Sequence, residues 1–419
     1  MSAAARSRGG LTDERMRPFR PRRYPFSAWL ATCALGLVAF TTEADETRLP
    51  GVGAAMQELV AAGEIAGAVT VVVDRERVVH AESTGLADIS SGRPMKPDTL
   101  FWIASMTKPV TGTAVAMLID EGKVAIDDPV EKFVPEFAAL KTAAGVPARI
   151  TVRQILTHTS GLGEAATAAT LASRRLADLV PAWLAAPMKN PPGEKWAYTQ
   201  SGINLAGRIV EVVSGRPFDA FLQERLFDPL GMPDTAFYPT DRQRARLATA
   251  YAKNRESGVL ELAATRAEYG VRPIPPQGNG GLYSTPRDYT RFVRMLLGGG
   301  TLDGRRYLGE AGMRAVSTVQ TGDLPTGFFQ TADFGQRGGN YGWGLGTCVL
   351  KQPHPGVAAM LSPGSFGHGG AWGTQAWVDP VRGVAYVLMV QRANFPNSDA
   401  SDVRRRFQEA AAAVLFRAR

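Results

Sequence analysis

The stretch "FWIASMTKPV" (residues 101–110) decides how the rest of this chain is interpreted. It places Ser105 and Lys108 three residues apart, just before a run of small and apolar residues that extends to Asp120. Positions i and i+3 of a helix share a face, so the lysine ammonium can reach the serine hydroxyl. Pro109 is tolerated only in the first turn of a helix, where backbone N–H groups lack intrahelical partners. The stretch therefore predicts a serine at the N-terminus of a buried helix.

This serine and lysine have two interpretations. A serine is a weak nucleophile that needs a neighbouring base, and a lysine serves as that base only when burial or another cation lowers its pKa. A helix that is apolar on all sides would bury Lys108, and its free N–H groups could stabilise an oxyanion beside Ser105. The alternative is an ordinary N-cap serine with a lysine in the first turn. Two further motifs favour catalysis.

The first of these motifs is "WAYTQSGINLAG" (residues 196–207), which follows "NPPGEK". A tyrosine at a loop bend before a helix can direct its phenol into a cleft. Beside a lysine ammonium the phenolate form becomes accessible, so Tyr198 is a candidate general base. The alternative is an ordinary half-buried tyrosine.

The second motif is "SFGHGGAWGTQAWVD" (residues 365–379), in which His368-Gly369-Gly370-Ala371 is predicted to begin a strand. Two glycines there allow a ligand to approach the backbone closely, and the strand edge can donate an N–H to an oxyanion. The alternative is a β-bulge marked by glycine.

The pattern along the chain predicts an α+β protein. Two β-branched runs flank residues 74–76, and the segment 379–383 has the composition of a hairpin turn. Between these ends lie segments with helical apolar spacing, such as "TVRQILTHTSGL" with Thr151 as N-cap and "FDAFLQERLFDPLGM" (residues 218–232). One sheet built from both ends of the chain, facing a helical subdomain, accounts for this order.

In this order, the three motifs resemble those of the serine β-lactamase and penicillin-binding protein superfamily, for which Ser-x-x-Lys is characteristic. The chain is most similar to the class C β-lactamase-like group, which includes family VIII esterases and D-aminopeptidases. The likeness covers about residues 50 to 415 and includes "ILTHTSGL", "PGEKWAYTQSGINLAGRIVE", "FDPLGM", "GGLYSTPRDYTRFVRMLL", "YGWGLG" and "GHGGAWGTQAWVDP". It implies a β-lactamase/transpeptidase-like fold, an antiparallel sheet flanked by helices with an inserted helical subdomain.

The pattern along the chain, together with the resemblance, predicts boundaries within it. We expect a signal or export segment at residues 1–42 and a β-lactamase-related domain at 46–419. Within that domain, the sheet subdomain would comprise about 46–110 and 336–419, and the helical subdomain about 111–335.

Carried over by position, the resemblance assigns roles to the motif residues. Ser105 would be the nucleophile and Lys108 its partner. Tyr198 would be the general base for acylation and the proton donor to the leaving group. The backbone N–H groups of Ser105 and Ala371 would form the oxyanion hole. His368 would occupy the place of the lysine in the Lys-Thr-Gly motif of β-lactamases.

Two departures from the family pattern bear on the substrate. The tyrosine motif usually reads Tyr-x-Asn, whereas this chain has Gln200, which keeps the amide one methylene further out and could still hold Lys108 and a substrate carbonyl. Asn204, four residues on, is an outside candidate for the same role, though a structural role is expected for it. In the family, the lysine and threonine of Lys-Thr-Gly bind the carboxylate of the antibiotic.

The second departure is His368-Gly369-Gly370, which stands where β-lactamases have Lys-Thr-Gly. A histidine of ordinary pKa is mostly neutral at pH 7, and Gly369 has no hydroxyl. Losing a charge-assisted hydrogen bond costs about 1.5–3 kcal/mol, which disfavours efficient penicillinase activity. Trp372 would add an apolar wall suited to an acyl chain or an aromatic ester, or would simply pack in the core.

The composition is that of an ordinary soluble globular protein, and the N-terminal segment predicts export. Residues 1–42 hold seven arginines against two acidic residues, so this segment carries +5 of the formal charge of +8 and leaves +3 for the rest. That remainder is too diffuse for nucleic-acid binding. The basic segment precedes "SAWLATCALGLVAF" (residues 27–40), an apolar run too short to span a membrane and typical of a secretory signal. Translation from Met16 would give a basic flank of ordinary length. The expected location is periplasmic or secreted.

Other hydrolytic chemistries find no support in the sequence. The chain contains neither Gly-x-Ser-x-Gly nor His-Glu-x-x-His, and its four histidines are far apart. A single cysteine, Cys348, remains after the signal, so no disulfide, zinc site or other cofactor is expected. His158 is expected to be a hydrogen-bonded structural residue.

The sequence thus predicts an exported serine hydrolase that cleaves small carboxylic esters through a Ser105 acyl-enzyme. A weak β-lactamase, a D-amino-acid peptidase or an acyltransferase are alternatives with the same acylation step, and a catalytically silent cell-wall-binding protein is the alternative of another class. The partner is a small ester or amide, and the sequence leaves the oligomeric state open.

Overall fold

The computed structural model describes residues 48–265, 270–326, 338–352, 360–396 and 401–416, which belong to one compact unit, Asp45–Arg419. The predicted export segment lies outside the described residues. Within them, no helix has the length and apolar character needed to cross a membrane. The boundaries predicted for the two subdomains stay predictions.

The helices and strands are as follows. The α-helices are α1 (Val52–Ala61), α2 (Thr107–Asp120), α3 (Val152–Leu156), α4 (Thr167–Ala172), α5 (Val180–Ala185), α6 (Ser201–Ser214), α7 (Phe218–Leu222), α8 (Asp228–Leu230), α9 (Asp241–Arg244), α10 (Pro286–Leu297), α11 (Glu310–Ser317) and α12 (Asp402–Leu415). Short 3-10 helices lie at Ala104–Met106, Val130–Lys132, Pro135–Ala139, Leu176–Leu179 and Gly338–Asn340. The strands are β1 (Gly67–Asp74), β2 (Val78–Asp88), β3 (Arg93–Pro94), β4 (Phe101–Trp102), β5 (Tyr251–Lys253), β6 (Leu260–Leu262), β7 (Tyr283–Ser284), β8 (Thr301–Leu302), β9 (Arg305–Arg306), β10 (Tyr341–Trp343), β11 (Cys348–Leu350), β12 (Phe366–Gly369), β13 (Gln375–Asp379), β14 (Val384–Met389) and β15 (Arg392–Ala393).

The main sheet joins the two ends of the domain. In the described part of the chain its order is β10-β11-β12-β13-β14-β1-β2-β3, and neighbouring strands are antiparallel. The two predicted hairpins are confirmed, because β1 pairs with β2 across residues 75–77 and β13 pairs with β14 across 380–383.

Both faces of this sheet are buried. Along β1, Val69, Val71 and Val73 belong to one hydrophobic core, and Ala68 and Val72 belong to the other. Successive side chains of a strand point to opposite faces, so an apolar run without alternation requires a layer on each side. Helices α1 and α12 pack against one face, and α10 packs against the other.

Helix α2 is the buried helix predicted from the opening stretch. Every residue from Thr107 to Leu118 is buried, including the side chain of Lys108. At Gly112 the helix touches the segment that follows β10, and a Cβ atom there would lie 1.9 Å from the carbonyl oxygen of Leu345. This close backbone contact fixes the position of the helix that carries the lysine.

The helical segment predicted within residues 218–232 is confirmed. It runs through α7, a π-helical turn at Gln223–Phe227 and α8, so that the regular α-helix is interrupted in its middle. Pro229 lacks the N–H that would bond the carbonyl of Arg225, and this loss accounts for the interruption. The prediction that the His-Gly-Gly motif begins a strand was wrong. His368 and Gly369 end β12, and residues 370–374 turn back towards β13.

We expect Gly112→Ala to destabilise the fold. Alanine in a helix normally gains up to about 1 kcal/mol over glycine. Here the added methyl group collides with backbone, so we expect a loss of about 1–3 kcal/mol in the free energy of unfolding. Urea denaturation measures the change. Gly339→Ala is the control, because a Cβ atom there meets nothing within 4 Å; equal effects of the two substitutions would contradict this account.

Candidate active site

The serine of the opening stretch lies in a constrained turn. Ser105 is the middle residue of the 3-10 helix that leads into α2, and Ala104 before it has φ of 45°, a left-handed conformation that non-glycine residues rarely adopt. The residues before this turn are held by the pairing of β4 with β7. On its other side, the carbonyl of Met106 accepts a hydrogen bond from the Tyr289 hydroxyl at 2.8 Å. The strained turn is thus fixed from both sides and presents Ser105 to the cavity described below.

The Lys108 ammonium is enclosed beneath this serine. Its Nζ lies 3.0 Å from Ser105 Oγ and 2.6 Å from the carbonyl oxygen of Asn279, while the side chain is 0% exposed. The same Nζ lies 4.7 Å from the centre of the Tyr198 ring, a cation–π distance. The structure therefore brings Ser105, Lys108 and Tyr198 together, as the motifs predicted, although they come from distant parts of the chain. Their catalytic roles stay predictions.

Aromatic rings hold the Tyr198 side chain. The His158 ring lies 4.5 Å from that of Tyr198 and meets Trp343 edge-on at 4.7 Å. The backbone N–H of Thr199 donates to His158 Nδ1 at 3.2 Å, so the proton of the neutral ring is on Nε2. Burial, with Lys108 close by, lowers the pKa of His158 well below its usual 6.5. His158 is thus a buried neutral residue that is bonded to the tyrosine loop.

His368 meets the hydroxyl end of the same tyrosine. Its Nδ1 lies 2.6 Å from the carbonyl oxygen of Gly369, which can only accept, so Nδ1 carries the proton. Nε2 is then an acceptor and lies 3.4 Å from the Tyr198 hydroxyl. Burial, followed by the charge of Lys108, lowers the pKa of His368 to about 3. His368 is therefore neutral at pH 7 and accepts a hydrogen bond from the phenol, which the lysine ammonium of Lys-Thr-Gly could not do.

The turn after β12 lies directly against the nucleophile segment. A Cβ atom on Gly370 would fall 2.5 Å from the carbonyl oxygen of Ile103 and 2.2 Å from Thr374 Oγ1, so only glycine permits this approach. Ala371, the next residue, lines the same cavity as Ser105. The expected oxyanion pair therefore borders one cavity, and its role stays a prediction.

Amide side chains form the wall beside Tyr198. Gln200 Oε1 accepts from Asn279 Nδ2 at 2.9 Å, and Asn204 Oδ1 accepts from the backbone N–H of Asn279 at 3.0 Å. Asn204 Nδ2 also donates to Gln277 Oε1 at 2.9 Å, which agrees with the structural role expected for it. Asn279 was missed by the sequence analysis, because its "QGNGG" segment carries only a turn signal and its contacts appear only in three dimensions.

The cavity at Ser105 has a volume of about 620 Å³, within the range of roughly 300–1,000 Å³ common for ligand pockets. Its lining includes Trp372 and Gln200, as expected, together with Trp102 and Glu164, which the sequence analysis did not single out. The Glu164 carboxylate accepts from the backbone N–H groups of Gln200 and Ser201 at 2.8 and 3.0 Å, and so caps helix α6. Among the described residues, no group of three or more His, Cys, Asp or Glu side chains could hold a metal ion.

The model of the beta-lactamase family matches residues 52–411. The chain belongs to the beta-lactamase family. Solved structures of this fold confirm the predicted α+β architecture: that of "EstCE1, a hydrolase with promiscuous acyltransferase activity" has a TM-score of 0.71, covering 86% of this chain and 97% of its own at 23% identity. At that identity the structural likeness shows the fold alone.

The chain is similar in sequence to two proteins along most of its length. Protein Rv1367c of Mycobacterium tuberculosis is 36% identical over 376 residues, which are 84% of this chain and 92% of that protein. Esterase EstB of Burkholderia gladioli is 29% identical over 360 residues, 78% of this chain and 86% of its own. The family and its esterase relatives establish that this chain is an enzyme, a serine hydrolase.

We expect two of the buried histidines of this serine hydrolase, His158 and His368, to make its stability depend on pH. Because the folded-state pKa values of His158 and His368 are lowered, the unfolded chain binds more protons below about pH 6.5, and stability is lost as the pH falls from there. As the pH falls from 6.5 to 5.5, each histidine should lower the free energy of unfolding by about 1 kcal/mol.

Urea denaturation at both pH values, in the wild type and in His158→Gln and His368→Gln, measures this cost. Asp288, whose pKa burial raises to about 6, titrates in the same range with the opposite sign, and its effect cancels when the variants are compared. A wild-type pH dependence retained in both variants would show that neither histidine is the source.

Proposed function

We propose that this chain hydrolyses small carboxylic esters through an acyl-enzyme on Ser105. The observation that carries the proposal is the buried Lys108 Nζ, 3.0 Å from the Oγ of Ser105. Ser105 itself lines a cavity large enough for a substrate. The name of the relative EstB, an esterase, supports ester substrates.

Before acylation, the unit formed by Lys108 and Tyr198 must release one proton to solvent, because an ammonium beside a neutral phenol cannot act as a base. Ser105 Oγ then attacks the ester carbonyl carbon and loses its proton to this unit. The Lys108 Nζ lies 4.7 Å from the centre of the Tyr198 ring, so we treat the two groups as one base. Negative charge develops on the carbonyl oxygen, where the backbone N–H groups of Ser105 and Ala371 stabilise it. The bond to the alcohol oxygen then breaks, and Tyr198 returns the proton to the departing alcohol.

Deacylation repeats this chemistry with water. A water molecule gives its proton to the same unit and attacks the acyl carbon, the bond to Ser105 Oγ breaks, and the serine recovers its proton. His368 assists by accepting the hydrogen bond of the Tyr198 hydroxyl in the resting enzyme, which fixes the direction of the phenol.

The surroundings of the nucleophile favour neutral substrates. His368 is neutral where β-lactamases carry a lysine, and Gly369 offers no hydroxyl, so a substrate carboxylate finds neither of its usual partners. A carboxylate-bearing β-lactam should therefore be a poorer substrate than a neutral ester.

We expect p-nitrophenyl butyrate to be turned over faster than nitrocefin or a D-alanyl p-nitroanilide. Ser105→Ala should abolish ester turnover, and Tyr198→Phe should lower kcat by at least about 10², the usual scale of a general base. Mass spectrometry of rapidly quenched enzyme should find the acyl group on Ser105. Tyr307→Phe is the control, because it removes a phenol hydroxyl that bonds Pro229 far from the cavity lining.

Each other outcome points to a different function. Rapid nitrocefin turnover with poor ester turnover would identify a β-lactamase, and preference for the anilide would identify a D-amino-acid peptidase. Absence of turnover with every substrate and of any adduct on Ser105 would refute the esterase proposal and favour a silent cell-wall-binding protein. A near-normal kcat in Tyr198→Phe would remove Tyr198 from the base.

The second part of the proposal is that the enzyme acts outside the cytoplasm, after removal of the export segment. It rests on the arginine-rich residues 1–42 and the short apolar run 27–40. We expect the full chain, expressed in a Gram-negative host, to appear in the periplasm or medium with an N-terminus between residues 40 and 52. Intact mass and N-terminal sequencing of each cell fraction test this. A chain starting at Met16 should be exported equally well; cytoplasmic protein of uncleaved mass would refute export.

A further inference from the structure

Two tryptophans flank the nucleophile at short distances along the chain. Trp102 lies three residues before Ser105, and Trp372 directly follows Ala371. Their ring centres are 5.3 Å apart with the planes inclined by 42°, and both side chains line the cavity. We call Trp102 and Trp372 the indole pair. A carbonyl bound between the nucleophile and Ala371 must place one of its substituents close to this pair.

The indole pair is fixed before any substrate binds. Trp102 Nε1–H donates to the carbonyl of Gly280 at 2.7 Å, and its ring stacks on Tyr283 at 6.2 Å. The side chain of Gln391 accepts from the backbone N–H of Trp102 at 3.0 Å. The carbonyl of Trp372 accepts from the N–H of Arg392 at 2.9 Å, and Trp372 is only 9% exposed. A preformed aromatic surface costs a ligand little ordering entropy.

The indole pair stands apart from the folding cores. It belongs to a small apolar cluster of Ala104, Ala250, Ala263 and Ala393, none of which is part of the two large cores around the main sheet. Most partners of the indoles in this cluster are alanines, which leave aromatic surface for the cavity. Such a surface beside polar groups is the usual composition of a ligand site.

We infer that the indole pair binds the acyl part of the substrate and that the preferred substrates are esters of neutral carboxylic acids carrying an aromatic or alicyclic ring. This inference rests on the proposed esterase function. The acyl group remains on Ser105 after the alcohol has left, so a nearly buried, rigid wall suits the acyl group, whereas the alcohol needs an open path to solvent. A flat ring gains edge-to-face or stacked contacts with indoles that a linear chain of equal carbon number cannot make.

The test compares the p-nitrophenyl esters of two nine-carbon acids, 3-phenylpropionate and nonanoate. In both esters, two methylenes separate the carbonyl from the part that differs, which is a phenyl ring in one and a linear chain in the other. In the wild type we expect kcat/KM for the ring ester to exceed that for the linear ester by about 3- to 10-fold, the scale of aromatic contacts. Trp102→Leu should bring this ratio close to 1, and Trp102→Phe should keep most of it. Leu262→Ala, at a side chain 74% exposed, is the control and should keep the wild-type ratio.

The ratio of kcat/KM for the ring ester to that for the linear ester separates this inference from the proposed function. It does not depend on how much of a variant is folded, because both esters report on the same enzyme molecules. If the wild type turned over neither ester, the esterase proposal itself would be refuted. Turnover of both with a wild-type ratio near 1, or a ratio unchanged in Trp102→Leu, would refute the indole pair alone. In 1-naphthyl acetate and n-decyl acetate, the ring or the linear chain is in the alcohol instead. If Trp102→Leu changed the ratio of kcat/KM for these two acetates and left the ratio for the p-nitrophenyl esters unchanged, the acyl assignment would be overturned.

Discussion

The buried ammonium of Lys108 is the constraint on which the site depends. Removing such a cation from water costs several kcal/mol unless hydrogen bonds and favourable charges replace the solvent. Three parts of the chain supply this replacement: Ser105 from the turn before α2, the Asn279 carbonyl from the loop before β7, and the Tyr198 ring from the loop before α6. Because loss of any partner would leave a buried charge poorly compensated, the fold and the geometry of the site stabilise each other.

The same charge determines the state of both histidines around it. Lys108 adds to burial in lowering the pKa of His158 and of His368, so that one cation is surrounded by neutral rings. In β-lactamases the Lys-Thr-Gly motif would place a second cation beside the tyrosine. Here a neutral acceptor faces the phenol instead. Replacing lysine by histidine therefore changes two properties at once: it removes the anchor for a substrate carboxylate, and it reverses the direction of the hydrogen bond at Tyr198.

Much of the fold could be predicted from local pattern, since a strand buried on both faces and a helix buried on all sides leave clear signatures, as in β1 and α2. The motif residues also indicated which side chains should converge. The contacts of Asn279, Trp102 and Glu164 could not be predicted, because they depend on how separate segments pack. The position of the His-Gly-Gly motif was wrong for a related reason: the end of β12 is set by its pairing with β13, and glycine-rich sequence does not encode that register.

The altered tyrosine motif is connected to the buried lysine through Asn279. Glutamine in place of asparagine at position 200 moves the amide outward by one methylene, which by itself would loosen the wall beside the tyrosine. The Asn279 side chain meets this amide, while its backbone carbonyl holds Lys108 and its N–H is held by Asn204. The longer side chain is thus bonded to the loop that fixes the lysine. A shorter residue at either position would break this link, so the identities of residues 200 and 279 constrain each other, and the altered tyrosine motif remains compatible with a rigid site.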